Sequence, residues 1–272
     1  MRLFERYRSS FAEPLDVAAV RRIHASTRPP IGAANDDVWR LFDRIAHRYD
    51  LLNHLLSGRQ DVLWRRRVMR HLPPGDNLHV LDLATGTGDM LLSLSKQGGR
   101  VARGMGVDMS GEMLIRGQRK LAARGLNPKF SMVRANASET PLPADSFDAV
   151  TIAFGIRNVA DTHACLVEMR RLLKPGGRAL VLELSVPTHK CFLKAYLCYF
   201  RHVLPRLGGF ISGDREAYYY LNQSVEEYPQ GEAFCQMMRR VGFHSVEYYP
   251  LSCGIATLYQ GDKPSDEPDG SE

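Results

Sequence analysis

Two hydrophobic periods alternate along the chain, and the changes from one to the other predict its helices and strands. From residue 37 the segment DVWRLFDRIAHRYDLLNHLL places apolar side chains three and four residues apart, the spacing of an amphipathic helix or helix pair. Beyond it, short apolar runs alternate with helical patterns. Strands are predicted at 79–84, 104–109, 130–135, 147–155 and 178–185, and helices at about 89–97, 111–124 and 161–173.

This alternation predicts an α/β fold with a doubly wound, mostly parallel sheet covered by helices on both faces. The helix that starts near residue 37 is expected to form an N-terminal helical cap. After the fifth strand a mostly helical insert is predicted at about 188–241. The segments HSVEYYPLS and GIATLYQGD then predict a closing pair of strands.

The chain divides into three parts by composition. Residues 1–36 form an N-terminal extension and a linker that ends in the proline and glycine stretch STRPPIGAAN. Residues 37–263 are expected to form one domain. Residues 264–272 are polar and acidic, which predicts a disordered tail.

Composition narrows the class of protein. With 272 residues and 44% hydrophobic content, the chain has enough apolar material for a large core. No apolar run is long enough to cross a bilayer, and the start MRLFERYRSSF is too charged for a signal peptide, so a cytoplasmic location is expected. Five cysteines without a C-x-x-C pair suggest neither a disulfide framework nor a zinc site, and no metal is expected.

The net charge of +6 admits an anionic partner, but the basic residues are dispersed along the chain. The densest run, WRRRVMR at 64–70, has helical spacing. A solvated helix face is therefore favoured over an anion-binding surface.

The stretch VLDLATGTGDM, residues 80–90, changes from a buried strand to a glycine loop at Gly86 and Gly88. In a doubly wound sheet, the loop after the first strand is where a nucleotide meets the backbone. A glycine turn before a helix is a weak signal by itself. Asp108 ends the second strand twenty positions after Gly88, where a carboxylate accepts hydrogen bonds from ribose hydroxyls. The combination predicts an adenosyl ligand.

The residues around this loop favour S-adenosylmethionine over a dinucleotide. The fingerprint G-x-G-x-x-G needs a third glycine at position 91, where the chain has Leu91. Asp89 opens the following helix and would repel a pyrophosphate. Asp82 adds negative charge where a cationic sulfonium and ammonium are expected. Its alternative interpretation is a buried carboxylate bonded to loop amides.

Longer motifs carry a resemblance to one family. The segments FDRIAHRYDLLNHLLS, VLDLATGTGD, FDAVTIAFGIRNVAD, EMRRLLKPGG and GIATLYQG follow, in order, the pattern of the ubiquinone and menaquinone biosynthesis C-methyltransferases over about residues 38–262. The resemblance implies a Rossmann-like, class I S-adenosylmethionine-dependent methyltransferase. It also implies C-methylation of a prenylated quinol ring, either demethylmenaquinol, which we favour, or a ubiquinone precursor.

The resemblance also implies particular cofactor contacts. They lie at Thr87 in the glycine loop, at Asp108 on the ribose, and at Asn136 and Ala137 after the third strand, beside the adenine.

Two positions depart from the family pattern. Ala153 replaces a frequent serine, which leaves only a backbone contact at that position. Tyr259 replaces the usual histidine, so no catalytic role is assigned to it.

The implied reaction needs a phenolate, because a phenol with a pKa of about 10 is a poor carbon nucleophile at neutral pH. Arg157, just past the fourth strand, is assigned to stabilise that oxyanion, or alternatively to a salt bridge with Asp161 or Glu168. Asn158 either holds the quinol oxygen or caps the turn.

The proton acceptor is left open at this point. The side chains considered are Tyr49, Asp50 and His54 in the helical cap, where packing is the commoner role, and water is the alternative.

Residues 189–210, HKCFLKAYLCYFRHVLPRLGGF, combine aromatic and aliphatic groups with basic ones. The composition is that of a helix at a membrane interface, which predicts peripheral docking at the inner face of the cytoplasmic membrane. A helix packed on the sheet and a homodimer contact are equal alternatives.

Two other functions remain open from the residues alone. One is a methyltransferase acting on RNA or another small molecule, although the insert lacks a base-reading surface of interleaved aromatic and arginine residues, and no nucleic-acid partner is expected. The other is a noncatalytic subunit that binds cofactor or lipid in a quinone-synthesis complex.

Overall fold

The computed structural model describes residues 38–187, Leu193, Tyr196, Tyr199 and residues 224–265. The extension and linker predicted at 1–36, most of the insert predicted at 188–241 and the tail beyond residue 265 lie outside these residues. The interface helix predicted at 189–210 falls almost wholly in the same gap. These four predictions therefore stay predictions.

Seven strands form one sheet in the order β3-β2-β1-β4-β5-β7-β6. Strands β1 to β5 pair in parallel, β7 runs antiparallel to β5, and β6 runs antiparallel to β7. The doubly wound, mostly parallel sheet and the closing pair of strands are therefore confirmed. The strands are β1 (Leu78–Leu83), β2 (Val101–Asp108), β3 (Phe130–Arg134), β4 (Phe147–Ala153), β5 (Leu173–Leu184), β6 (His244–Leu251) and β7 (Ala256–Asp262).

Six α-helices have described bounds: α1 (Val38–Leu56), α2 (Gln60–Met69), α3 (Asp89–Leu94), α4 (Gly111–Ala122), α5 (Thr162–Leu172) and α6 (Glu232–Arg240). Two of them are capped at the N-terminus by a polar side chain. Ser110 Oγ accepts a hydrogen bond from Met113 N at 3.2 Å before α4, and Asp161 Oδ1 accepts one from Ala164 N at 2.9 Å before α5.

The core lies on both faces of the sheet because successive strand residues point to opposite faces. In β1, Val80 packs with Trp64 of α2 and Leu91 of α3 on one face. Its neighbour Leu81 packs with Leu166 of α5 and Phe234 of α6 on the other. Both faces are closed, so functional groups are expected at the carboxyl edge of the parallel strands.

Two element boundaries differ from the sequence prediction. The helix predicted to about residue 97 ends at Leu94 and tightens into a 3₁₀ helix, Ser95–Arg100, in which Gly98 has a φ of 61°. Strand β5 begins at Leu173, so it includes the LKPGG turn signal, and its pairing with β4 is irregular between Phe147 and Ala149. Backbone pairing extended the strand through residues that usually interrupt one.

No helix among residues 38–187 and 224–265 is long and apolar enough to cross a bilayer.

Candidate active site

The glycine loop between β1 and α3 has positive φ angles at Ala84 and at both of its glycines. Gly86 has a φ of 56° and Gly88 a φ of 79°, and Gly88 caps α3. Glycine is favoured at both positions because other residues rarely adopt such angles. A Cβ placed on Gly86 would have the Tyr49 ring, at 3.9 Å, as its neighbour. The loop therefore presents its backbone toward the cap helix α1.

Asp108 at the end of β2 fixes this loop through its carboxylate. Oδ2 accepts a hydrogen bond from Gly86 N at 2.8 Å, and Oδ1 accepts one from Ser110 N at 2.8 Å. Burial raises the pKa of Asp108, and the two amide hydrogen bonds oppose that rise. Each carboxylate oxygen has two lone pairs, so acceptor capacity remains for ribose hydroxyls.

Asp82 lies in β1 and is 1% exposed. Its Oδ1 accepts a hydrogen bond from Thr151 Oγ1 of β4 at 2.6 Å. Asp82 is thus buried, as its alternative interpretation has it, but this hydrogen bond comes from the neighbouring strand and not from a loop amide. Burial raises the pKa of Asp82 to about 7, with Thr151 opposing the rise, so it is only partly ionised at neutral pH.

The cap helix α1 is connected to the glycine loop by a polar cluster. Thr87 Oγ1 donates to Asp50 Oδ1 at 2.5 Å. Lys120 Nζ of α4 contacts Asp50 at 2.8 Å, Asp89 at 2.6 Å and Thr87 Oγ1 at 3.0 Å. The Thr87 side chain is thus held by protein groups, which leaves its backbone for the cofactor contact proposed there. Lys120 was not predicted, since nothing in its local sequence marks it.

Tyr49 lies on α1 above the same loop. Burial raises the pKa of its hydroxyl, while Asn53, Arg65 and Arg157 act in the opposite direction and Asp108 adds to the rise. Both Arg157 and Asp108 affect the pKa of Tyr49. Tyr49 therefore lies near the predicted cofactor site at Asp108 and near the predicted quinol site at Arg157.

The loop after β4 lies directly against the glycine loop. A Cβ on Gly155 would come within 2.6 Å of Ala84 Cβ and 3.5 Å of the Ala84 carbonyl oxygen, so only glycine fits there. Because β4 is the neighbour of β1, the 3₁₀ turn Ile156–Asn158 sits beside the predicted cofactor loop. The structure therefore brings Arg157 to the same edge as Asp108.

Arg157 forms a buried ion pair with Glu183 of β5. Its Nη1 donates to Glu183 Oε1 and, at 3.2 Å, to the Phe154 carbonyl oxygen, and the side chains are 6% and 3% exposed. The alternative partners Asp161 and Glu168 are wrong. They are engaged elsewhere: Asp161 caps α5, and Glu168 pairs with Arg171.

Glu183 is a functional candidate that sequence reasoning missed. It is 2% exposed, and burial raises its pKa although Arg157 and the Leu184 amide oppose the rise. Its signal was present in the strand RALVLELS, where a single carboxylate interrupts an apolar run.

Asn158 has a contact within its own turn. Its Nδ2 donates to the Phe154 carbonyl oxygen at 3.4 Å, which corresponds to the turn-capping alternative. Phe154 has a φ of 59°, so this turn is held in an uncommon conformation.

Asn136 and Ala137 follow β3 as predicted. Asn136 is exposed, and its Oδ1 accepts a hydrogen bond from Ser138 N at 3.0 Å. Ala137 is 7% exposed and packs in the core. The pair forms a short turn beside the end of β3, two strands from β1.

Arg65 corrects the interpretation of WRRRVMR as a solvated face. Arg66 and Arg67 are exposed, but Arg65 is 6% exposed, pairs with Asp61 at 2.6 Å and lies 5.2 Å from the Phe154 ring centroid. The signal was Asp61 one helical turn earlier, a spacing that supports an ion pair.

Tyr259 and Ala153 both have structural contacts. The Tyr259 hydroxyl accepts a hydrogen bond from Gly231 N at 2.8 Å before α6, a structural contact. Ala153 ends β4 and packs against the core.

Three groups near α3 have metal-ligand character: His54, Asp61 and Asp89 lie within 4.8 Å of one another. Cationic side chains already contact these carboxylates, since Arg65 pairs with Asp61 and Lys120 with Asp89. The cluster is therefore explained as an ion-pair network.

The carboxyl edge of the parallel strands suits an adenosyl ligand with a cationic end. Burial alone would raise the pKa of Asp89, but the charges of Arg65 and Lys120 outweigh it and hold that pKa below its usual value. An ionised Asp89 in the first turn of α3 disfavours a phosphate there. Asp108 remains suited to a ribose.

Comparison with known proteins gives one family. A family model described as the ubiE/COQ5 methyltransferase family matches residues 31–263. The chain is 47% identical over 224 residues to the demethylmenaquinone methyltransferase of Thermus thermophilus, covering 82% of this chain and 100% of that one. It is 48% identical over 226 residues to the ubiquinone/menaquinone biosynthesis C-methyltransferase UbiE of Syntrophotalea carbinolica, covering 83% and 93%.

Solved structures agree on the fold. An S-adenosylmethionine-dependent methyltransferase from Thermotoga maritima has a TM-score of 0.59 at 19% identity, covering 83% of this chain and 99% of that one. The [4+2]-cyclase SpnF has a TM-score of 0.62 at 16% identity, covering 88% and 100%. Since one of these neighbours is a cyclase, the fold by itself does not determine the reaction.

Proposed function

This chain belongs to the ubiE/COQ5 methyltransferase family, and from that premise we propose that it methylates a ring carbon of a prenylated quinol, with S-adenosylmethionine as methyl donor. Demethylmenaquinol is the substrate placed first, because the names of several relatives specify it. A ubiquinone precursor is placed second.

The observation that carries this proposal is the position of Arg157. Its guanidinium is buried at the carboxyl end of β4, and its loop lies against the glycine loop through Gly155 and Ala84. A permanent cation there lowers the free energy of a phenolate beside the methyl donor. The guanidinium also offers several N–H donors in one plane, which matches a planar aromatic oxyanion.

The cofactor would be held by residues at the carboxyl ends of β1 and β2. S-adenosylmethionine, when bound, supplies a methyl group on a cationic sulfur. Asp108 would accept the ribose hydroxyls, the backbone of Gly86, Thr87 and Gly88 would line the loop, and Asp82 would lie beneath it. The turn at Asn136 and Ala137 would border the adenine.

Tyr49 and Asn158 would orient the quinol. Tyr49 covers the loop from α1 and stays protonated at neutral pH, because burial raises its pKa. It is therefore a hydrogen-bond donor to the quinol oxygen and a poor proton acceptor. Asn158 adds an amide beside Arg157 on the same turn.

Membrane docking belongs to the same proposal, since a prenylated quinol resides in a bilayer. The basic and aromatic stretch at 189–210 would contact anionic headgroups. Leu51 and Leu55 on α1 are 60% and 57% exposed and one helical turn apart, which adds an apolar contact surface among the described residues. A homodimer contact is the competing use of these surfaces.

The test is methyl transfer from labelled S-adenosylmethionine to short-chain demethylmenaquinol and to the ubiquinone precursor, with Arg157→Lys as the site variant. The variant should bind cofactor normally and lose about 10²-fold in turnover, because lysine keeps the charge without the planar fork.

Arg178→Lys is the matched control. Arg178 is paired with Asp262 near the start of the same strand that carries Glu183, so its replacement should leave turnover within about threefold. A folded, cofactor-binding protein that methylates neither quinol would contradict the proposed function.

A further inference from the structure

Glu183 is a buried carboxylate at the substrate side of the sheet edge. It is the next-to-last residue of β5, and the neighbouring strand β4 ends at the turn that carries Arg157. The strand is otherwise apolar at this end: Val181 and Leu182 are 0% and 1% exposed. A core that needed only packing would be better served here by another aliphatic residue.

One oxygen of this carboxylate is occupied and the other is not. Oε1 accepts hydrogen bonds from Arg157 Nη1 and from Leu184 N, the latter at 2.7 Å. Oε2 is buried and makes no hydrogen bond with any residue that the structure describes, and the same holds for Arg157 Nε. Leaving a buried charged oxygen unpartnered costs about 1–3 kcal/mol, so its retention needs a reason.

The other acidic and basic side chains near this edge are already committed. Asp108 accepts from two amides, and Asp82 accepts from Thr151. Asp50 and Asp89 are paired with Lys120, and His54 is bonded to Asp61.

We propose that Glu183 is the proton acceptor for the quinol hydroxyl, through its free Oε2, and that Arg157 holds both the carboxylate and the developing phenolate. This inference rests on the proposed function.

The proposed step begins at the quinol hydroxyl. The O–H bond of the quinol breaks, the proton passes to Oε2, and the electron pair stays on oxygen. The adjacent ring carbon then forms a bond to the methyl carbon, and the sulfur–methyl bond breaks with its pair on sulfur. The ring hydrogen leaves as a proton to water, and Glu183 returns its proton to the phenolate oxygen.

Arg157 and two tyrosines are the charged and titratable groups beside Glu183. Arg157 faces it from the turn after β4, Tyr228 from the segment before α6, and Tyr259 from β7. Burial raises the pKa of Tyr228 strongly and that of Tyr259 to about 12, so both hydroxyls stay neutral. Asp82 has a pKa of about 7 at the same edge, so its titration has to be separated from that of Glu183.

The experiment compares wild-type enzyme with Glu183→Gln, which keeps the size and the acceptor for Arg157 but cannot take up the proton. Turnover is expected to fall about 10²- to 10⁴-fold at unchanged affinity for S-adenosylmethionine. The acidic limb of the wild-type pH profile should disappear in the variant. A ring-fluorinated quinol has a more acidic hydroxyl. With this substrate, the ratio of wild-type turnover to Glu183→Gln turnover should fall by about tenfold.

The control is Asp262→Asn, which removes the carboxylate from the Arg178–Asp262 pair between β5 and β7, at the end of their ladder opposite to Glu183. It should leave the rate and the pH profile unchanged. Glu183→Asp, which retains a carboxylate, should keep the acidic limb at a reduced rate and serves if the glutamine variant does not fold.

The outcomes separate this inference from the proposed function. Wild-type enzyme without methyl transfer to any quinol overturns both. Active wild-type enzyme with a glutamine variant within about threefold of it overturns the role of Glu183 alone. A glutamine or aspartate variant that loses the same factor in turnover with the fluorinated and with the unfluorinated quinol makes Glu183 a positioning residue. That outcome overturns proton transfer.

Discussion

At the scale of single residues, the carboxylates of the sheet edge differ because their hydrogen-bond partners differ. Asp108 is held by the amides of Gly86 and Ser110, which stabilise its charge. Asp82 accepts a hydrogen bond from the Thr151 hydroxyl, and burial raises its pKa to about 7. Burial raises the pKa of both carboxyls, and the two amide hydrogen bonds of Asp108 oppose that rise.

Replacing Asp108 with alanine should weaken binding of S-adenosylmethionine about tenfold to hundredfold. Charge-assisted hydrogen bonds worth about 1.5–3 kcal/mol are lost, and the Gly86 amide loses its acceptor. Calorimetric titration of the folded variant measures the change. Asp148→Asn, at the start of β4 on the opposite edge, is the control. Unchanged affinity in Asp108→Ala would remove the ribose assignment.

The raised pKa of Asp82 predicts that the free energy of unfolding depends on pH. Its native pKa of about 7 lies above the ordinary value of 3.8, so the native state binds more protons between these values. The contribution of Asp82 is therefore fully present below about pH 4 and is lost as the pH rises through 7. Asp82→Asn should gain stability relative to wild type between pH 4 and 8, by at most about 4 kcal/mol.

Urea unfolding of wild type and Asp82→Asn at several pH values measures this difference in free energy of unfolding. A difference that stays constant from pH 4 to 8 would show that the native carboxyl titrates normally.

At the scale of elements, the cap helix α1 is attached to the glycine loop by one cation. Lys120 of α4 lies between Asp50 of α1 and Asp89 of α3, and Thr87 donates to Asp50. Ser110 Oγ adds a second link by donating to Asp43. Because three elements share this cluster, the position of the cap is coupled to the conformation of the cofactor loop.

Lys120→Met should loosen the cap while leaving the sheet intact. Asp50 and Asp89 would lose their shared cation, so amide hydrogen exchange over residues 38–56 should quicken about fivefold to thirtyfold, equivalent to about 1–2 kcal/mol. Mass spectrometry of deuterium uptake measures this. Lys129→Met, at an exposed position before β3, is the control. Equal exchange in both variants would mean that the apolar contacts of α1 alone hold it.

At the scale of the whole molecule, the sheet order brings together residues that are far apart in sequence. Parallel strands β1, β2, β4 and β5 end at one edge, and Asp108, Arg157 and Glu183 all lie along it, although 75 positions separate the first from the last. A polar edge below a cap with exposed leucines is suited to a substrate with a charged ring and an apolar tail.

The protein is expected to bind anionic vesicles at low salt and to leave them at high salt. Lys194→Glu with Arg201→Glu should abolish binding without changing cofactor affinity, because basic residues near a headgroup surface contribute about 1 kcal/mol each. Vesicle flotation measures it. Lys96→Glu with Lys129→Glu changes the net charge equally at exposed positions elsewhere. Parent protein that stays unbound at low salt, even with quinol in the vesicles, would exclude surface docking.

The sequence by itself determined the local features of this protein. Apolar periodicity located the strands and most helices, since it reports which face of each element is buried. The glycine loop and Asp108 could be assigned because their spacing within one β-α-β unit fixes their geometry. Family motifs placed Arg157 and Asn158 at the end of β4.

Only the tertiary structure decided which side chains face each other across elements. Arg157 was paired with Asp161 or Glu168 as alternatives, yet its partner is Glu183, because β5 lies beside β4 in the sheet. Arg65 was assigned to solvent, yet the packing of α2 buries it against Phe154. These contacts join distant positions, and a pattern along the chain records which face is buried but not which element covers it.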